Sequence, residues 1–234
     1  MLTSDAEMGQ MGKQAFDEMK AKQAINHDGK MNAYVACVAH AITDNVQPKQ
    51  DWEVVVFEDP QVNAFALPGG KIGVYSGLLK VAKGQDELAT VLGHETGHVV
   101  AQHGRERTSE QVVTQSGLAA AGAILGNAND PKHGLMLAAL GVGAQVGVAL
   151  PFSRAQEKEA DEIGLDLMAK SGFNPNEAIA LWQNMQASGG GAPPQWLSDH
   201  PSDESRIIDL QSRLPKALEE SKASGKHPKC GSGS

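Results

Sequence analysis

The chain has 234 residues, 41% of them hydrophobic and 21% charged, which suits a folded core and excludes a disordered chain. Its 20 Lys and Arg against 28 Asp and Glu leave a net charge of −8 with no basic cluster, so nucleic acid is not expected as a partner. Two cysteines, Cys37 and Cys230, exclude a disulfide-built scaffold and a four-cysteine zinc finger, and leave open one disulfide or two free thiols.

In chain order, Met8, Met11, Ala15, Met19 and Ile25 keep a rough helical period and predict a helix over 5–24. Tyr34, Val35, Val38, Ala41, Ile42 and Val46 predict a second over 30–46, stopped by Pro48. The texture then changes. Trp52 to Phe57 is rich in β-branched residues and reads as a strand, and Asn63 to Leu67 is a second extended segment. Pro68-Gly69-Gly70 is a turn, and Lys71 to Tyr75 is a third strand. A small sheet with a hairpin is therefore expected inside a helical chain. From Asp86, a suitable N-cap, helix resumes and runs to about Lys222. Its breaks are expected at Gly104, Asn129-Asp130-Pro131, Pro151, Gly172 to Pro175, and 188–202.

Two uncharged runs lie between Glu110 and Asp130 and between Lys132 and Arg154. A membrane span needs ~20 apolar residues, but these runs hold many Gly residues, Gln145 and Pro151. Small residues four apart, Gly122/Gly126 and Gly143/Gly147, allow close helix packing. The expectation for 111–152 is a packed antiparallel helix hairpin, with contact to a membrane surface or a partner as the second reading. No apolar leader follows Met1, so the chain is either cytosolic or begins after a removed export segment. Gly231-Ser232-Gly233-Ser234 reads as a linker or tag remnant.

The chemistry-bearing motif is His94-Glu95-Thr96-Gly97-His98. Residues four apart share a helix face, so His94 and His98 can converge on one metal ion, with Glu95 placed to take a proton from water. Glu87, Leu88, Val91, Leu92, Val99 and Val100 give this helix a buried side. A metzincin needs Gly three and His six residues beyond His98; Ala101 and Gly104 stand there. His103 is five positions on, roughly 140° round a continuous helix, and reads as a surface or capping histidine. Downstream, Glu157 and Asp161 share a face, while Glu159 and Glu162 point elsewhere. Glu157 is the expected third ligand and Asp161 the carboxylate that orients a ligating histidine. Two histidines, one carboxylate and an open position favour one Zn²⁺ per chain.

With Ser153-Arg154 and Ala160-Asp161 added, these motifs resemble those of the gluzincin peptidases of the HtpX and CAAX-prenyl-endopeptidase family. The likeness is greatest to the exported, LoiP-like bacterial branch and spans roughly residues 5–214. Asn63 to Gly70 and His200-Pro201 with Arg206 also match the family pattern. The resemblance implies an α+β, mainly α-helical zincin-like domain with a small β-sheet beside the HExxH helix. It implies one metallopeptidase domain over 1–234, with N-terminal helices 5–46, a catalytic core about 50–214 and a flexible tail 222–234. Asn63, Ala64, Phe65 and Ala66 would be an edge strand that binds extended substrate through its backbone. His200 and Arg206 would lie near the metal and stabilise an oxyanion; read from residues alone, they are a loop and a charged helix start. His200 could instead fill the metal's open position in a resting state.

The implied activity is zinc-dependent endoproteolysis of unfolded or misassembled, including membrane-associated, polypeptides in envelope quality control. The implied setting is periplasmic, with a lipid anchor upstream of this chain. The alternative from another class is a zinc-stabilised chaperone-like or adaptor protein. Glu95 discriminates, because a purely structural zinc site has no use for a general base. A narrow prenylated-protein peptidase is disfavoured by the lack of several transmembrane spans.

Overall fold

The computed structural model describes residues 3–114, 137–141, 151–188, 195–200 and 204–232. Helix α1 (Asp5–Lys22) starts in a capping box, Ser4 and Glu7 each bonding the other's backbone N–H. Helix α2 (Gly29–Thr43) is capped by Asp28, which accepts from the Lys30 and Met31 amides. Strands β1 (Glu53–Phe57), β2 (Ala64–Leu67) and β3 (Lys71–Tyr75) follow. Beyond a single 3₁₀ turn come α3 (Gln85–Val100), α4 (His103–Thr114), α5 (Arg154–Lys170), α6 (Glu177–Ser188), α7 (Gln195–Asp199) and α8 (Glu204–Ser224). The architecture is the mainly helical, small-sheet one expected of a zincin-like domain.

The sheet order is β1-β3-β2, with β1 parallel and β2 antiparallel to β3. Gly69 and Gly70, at φ 80° and 71°, make the β2–β3 turn in a backbone region that side chains disfavour. The outer edge of β1 is covered: Asn26 donates to Val56 O and Glu58 to Ala24 O. That leaves β2 as the strand beside α3.

Two apolar clusters flank the sheet. The larger joins α2, α3, α5, α6 and α8 through Val35, Ile42, Leu88, Leu92, Met168, Trp182 and Leu210. The smaller lies under α1, where Phe16, Phe57, Phe65 and Tyr75 meet at ring separations of 5.7–6.3 Å.

Helices α3 and α5 cross at backbone contact. A Cβ on Gly93 would stand 2.8 Å from Gly164 O, one on Gly97 2.6 Å from Ala160 O, and one on Gly164 2.7 Å from His94 N. Real Cβ atoms do not approach so closely, so glycine at these positions is what lets the two helices, and the side chains they carry, meet.

Several sequence expectations need correction. Asp86 does not cap α3: Gly84 is the N-cap, and the Asp86 carboxylate accepts instead from the Asn174 amide. The break expected at Gly104 falls earlier, at Ala101-Gln102, and Gly104 lies inside α4. Helix α7 interrupts the loop expected over 188–202. The tail is tied down rather than free. Cys37 and Cys230 form a disulfide, the Cys230 amide donates to Gln85, and Gln85 donates to Pro228 O. The hairpin expected over 111–152 lies mostly outside the described residues. Among the described residues no helix is long and apolar enough to cross a membrane.

Candidate metal centre

Helix α3 turns His94, Glu95 and His98 toward one buried point; all three are at most 5% exposed. Helix α5 brings Glu157 against it, and His200, just past α7, closes it from the other side. His94 Nε2 lies 3.1 Å from His98 Nε2 and 3.2 Å from His200 Nδ1. Glu157 Oε1 is 3.0 Å from His200 Nδ1 and 3.6 Å from His98 Nε2, and its Oε2 is 3.4 Å from His94 Nε2. The four donors all fall within 4.8 Å of one another. Nitrogen and oxygen ligands held ~2.0–2.2 Å from one ion in a tetrahedron stand about 3.3–3.6 Å apart. Two inward-facing imidazole nitrogens at such a distance need a proton or a cation between them. Donor set and spacing both fit a zinc-type ion.

Electrostatics follow the same geometry. Burial opposes a charged His94, but Asp161 and Glu157 outweigh it and hold its pKa up at about 9 in the metal-free site. Burial, together with the neighbouring His94 and His200, pushes His98 well below the usual histidine value. Burial alone would raise Glu157; His200 and His94 overcome it and keep the carboxyl ionised far below the usual range. Asp161 Oδ1 is 2.9 Å from His94 Nδ1, so the carboxylate fixes that ring.

The family model described as Peptidase family M48 matches residues 28–214. The chain belongs to peptidase family M48. It is 42% identical over 168 residues to the mitochondrial metalloendopeptidase OMA1 of Schizosaccharomyces pombe, covering 71% of this chain and 48% of that protein. It is 40% identical over 193 residues to the OMA1 of Arabidopsis thaliana, covering 82% of this chain and 36% of that protein. The beta-barrel assembly-enhancing protease of Escherichia coli is 26% identical over 210 residues, covering 87% of this chain and 43% of that protein. The chain thus spans less than half the length of these M48 relatives.

All four residues proposed around the metal, His94, His98, Glu157 and Asp161, come together. Glu95 lies beside them: its Oε1 accepts from Trp196 Nε1 at 2.6 Å and is 3.4 Å from His200 Nε2. Phe65 and Ala66 line a cavity of about 260 Å³ that opens between α3 and β2 and reaches Glu95 and His98. Asn63 and Ala64 do not line it; they are buried at the start of β2. Arg206 is near the metal point, its guanidinium engaged by carboxylates. Its Nε and Nη2 donate to the two oxygens of Asp161 at 2.7 and 2.8 Å, and Nη1 is 2.6 Å from Glu157 Oε2. An arginine fork engaged by two carboxylates orients them.

Three contributors escape the sequence reading. His103 is not on the surface: it is 1% exposed, with Nδ1 2.9 Å from His98 Nδ1. Gln102 adopts φ 60°, which ends α3 and starts α4 in a new direction, so the continuous-helix angle does not apply. The only available signal was a third histidine five places after His98. Trp196 could have been flagged by its place one helical turn before His200, whose amide donates to Trp196 O. Phe152, its ring centroid 4.0 Å from that of His98 and stacked on His200 at 5.2 Å, gave no signal.

Proposed function

We propose that this M48 chain is a zinc-dependent endopeptidase acting on unfolded or misassembled polypeptides. The observation that carries the reading is a buried cluster of His94, His98 and Glu157 with an adjacent carboxylate, Glu95, at the end of a cavity wide enough for a side chain. His94, His98 and Glu157 would hold the ion. When bound, the ion supplies Lewis acidity toward water and the scissile carbonyl. Glu95 takes the proton of the attacking water and passes it to the leaving amine. Substrate lies along β2, with Phe65 and Ala66 nearest the reacting bond. Asp161 holds His94, and Arg206 holds Asp161 and Glu157, so the ligands keep their aim without water.

His200 completes a fourth donor position in this arrangement, and Trp196 on the same turn occupies Glu95. This supports a resting state in which the segment 196–200 withdraws before substrate enters. It also favours one second reading, a zinc-stabilised binding or adaptor protein, since structural zinc sites are closed by four protein ligands. Casein hydrolysis separates them. The peptidase reading expects cleavage that a chelator abolishes and zinc restores, and that His200→Ala increases. Stable zinc with no cleavage by wild type or His200→Ala would contradict it.

The setting is proposed as an envelope quality-control role, of the exported LoiP-like kind, anchored through a segment upstream. Support comes from the Cys37–Cys230 disulfide, which suits an oxidising compartment, and from relatives named beta-barrel assembly-enhancing protease. Fractionation of cells making the full-length protein tests it: recovery in the cytosol would contradict it.

A further inference from the structure

The outer faces of the three inward-pointing imidazoles are not alike. His94 presents Nε2 to the metal point and Nδ1 to Asp161. His200 presents Nδ1 inward and Nε2 to Glu95. His98 presents Nε2 inward, and among the described residues its Nδ1 meets no carboxylate; it meets His103 Nδ1 at 2.9 Å. An imidazole that gives its Nε2 lone pair to a metal carries its proton on Nδ1, and that N–H must find an acceptor in a dry site. Phe152 packs against the His98 ring, and the Arg107 guanidinium lies 4.0 Å from the Phe152 ring centroid. His103 Nδ1 is therefore the acceptor at hand. Its own proton then sits on Nε2, which faces Glu159 Oε2 at 3.4 Å.

We propose that His103 is a positioning residue of the metal centre, fixing the tautomer and ring angle of His98 through an Nδ1–H···Nδ1 hydrogen bond, with Glu159 setting the tautomer of His103. The chain Glu159–His103–His98 does for the second histidine what Asp161 does for the first. The two arms differ in burial. Asp161 is largely enclosed, with its side chain 10% exposed, whereas Glu159 is 61% exposed and its hydrogen bond is long. The His98 arm is thus the softer one, and its outer end is reachable from solvent. The left-handed backbone at Gln102 has a purpose in this scheme. It turns the chain so that a residue five places after His98 lies against the His98 ring.

This inference rests on the metal reading above, and the test separates the two. Zinc affinity is measured by competition with a chromophoric chelator for wild type, His103→Leu, His103→Asn and Glu159→Gln, with thermal unfolding of each metal-free protein alongside. The visible spectrum of the Co²⁺-loaded forms reports ligand geometry. Leu fills space but offers no acceptor; Asn offers an Oδ1 acceptor near the place of Nδ1 but fills less space. Loss of an outer hydrogen-bond partner typically weakens metal binding 10–100-fold. The proposal expects a loss of that size for His103→Leu with an altered Co²⁺ spectrum, near-wild-type affinity for His103→Asn, and a smaller loss for Glu159→Gln. Equal affinity in wild type and His103→Leu, or a larger loss in His103→Asn than in His103→Leu, overturns it, the latter by showing that only packing matters. If His103→Leu does not fold, a tenfold loss in a folded His103→Asn overturns it equally. Failure of wild type itself to bind zinc overturns the metal reading and this inference together.

Discussion

At the scale of residues, the site depends on charges placed where water cannot screen them. His94 is held near pKa 9 by Asp161 and Glu157 when no metal is present, yet only its neutral form can bind a metal. Zinc must then displace a proton. Apparent affinity should rise about tenfold per pH unit through neutrality and flatten above about 9, which chelator competition across pH 6–10 checks. The linked stability runs the other way. The folded pKa lies above the free value of 6.5, so the metal-free protein keeps this contribution below 6.5 and loses it as pH climbs through about 9. Arg206 is the other dependent residue. It is 4% exposed and is the cation between Asp161 and Glu157. Arg206→Ala takes the permanent cation from two buried carboxylates, leaving them only the His94 and His200 imidazoles, and should cost about 3–5 kcal/mol in urea unfolding of the metal-free protein. A loss under 1 kcal/mol would show that the pair is screened. The same residues mark how far sequence reaches. Spacing of four on one helix made His94 with His98, and Glu157 with Asp161, legible. The Arg206 fork was not, because which carboxylate an arginine meets depends on how α8 lies on α5.

At the scale of elements, the decisive feature is the crossing of α3 and α5. Gly93, Gly97 and Gly164 remove the side chains that would hold the helices apart, and the metal donors on both helices converge as a result. Gly164→Ala places a methyl 2.7 Å from His94 N. It should cost about 1–3 kcal/mol and weaken zinc binding. Gly29→Ala, with nothing within 4 Å of the added Cβ, should leave both unchanged; equal effects of the two would refute the crossing argument. Strands and helix existence were readable from Val54-Val55-Val56 and from the apolar periods. The end of α3 was not, because periodicity carries no mark of the left-handed Gln102, and His103 was misjudged with it.

At the scale of the molecule, helix α2 and the segment after α8 are joined across the site's supports. The Cys37–Cys230 bond links residues 193 apart in sequence, and the segment it holds also bonds Gln85 at the start of α3. Reduction should lower stability by roughly 2–5 kcal/mol, read as a shift in denaturant midpoint with and without reductant. An unchanged midpoint would make the link dispensable. Sequence left this pairing open because two cysteines carry no geometry. Phe152 was also beyond it, since it reaches the site only through tertiary packing of distant segments.

In the proposed mechanism, Glu95 does chemistry at a metal held by its neighbours. The direct measurement is casein hydrolysis by wild type and Glu95→Gln, each with its zinc content determined. Cleavage by wild type alone, with equal zinc in both proteins, is the expected result. Comparable cleavage by zinc-loaded Glu95→Gln would contradict it.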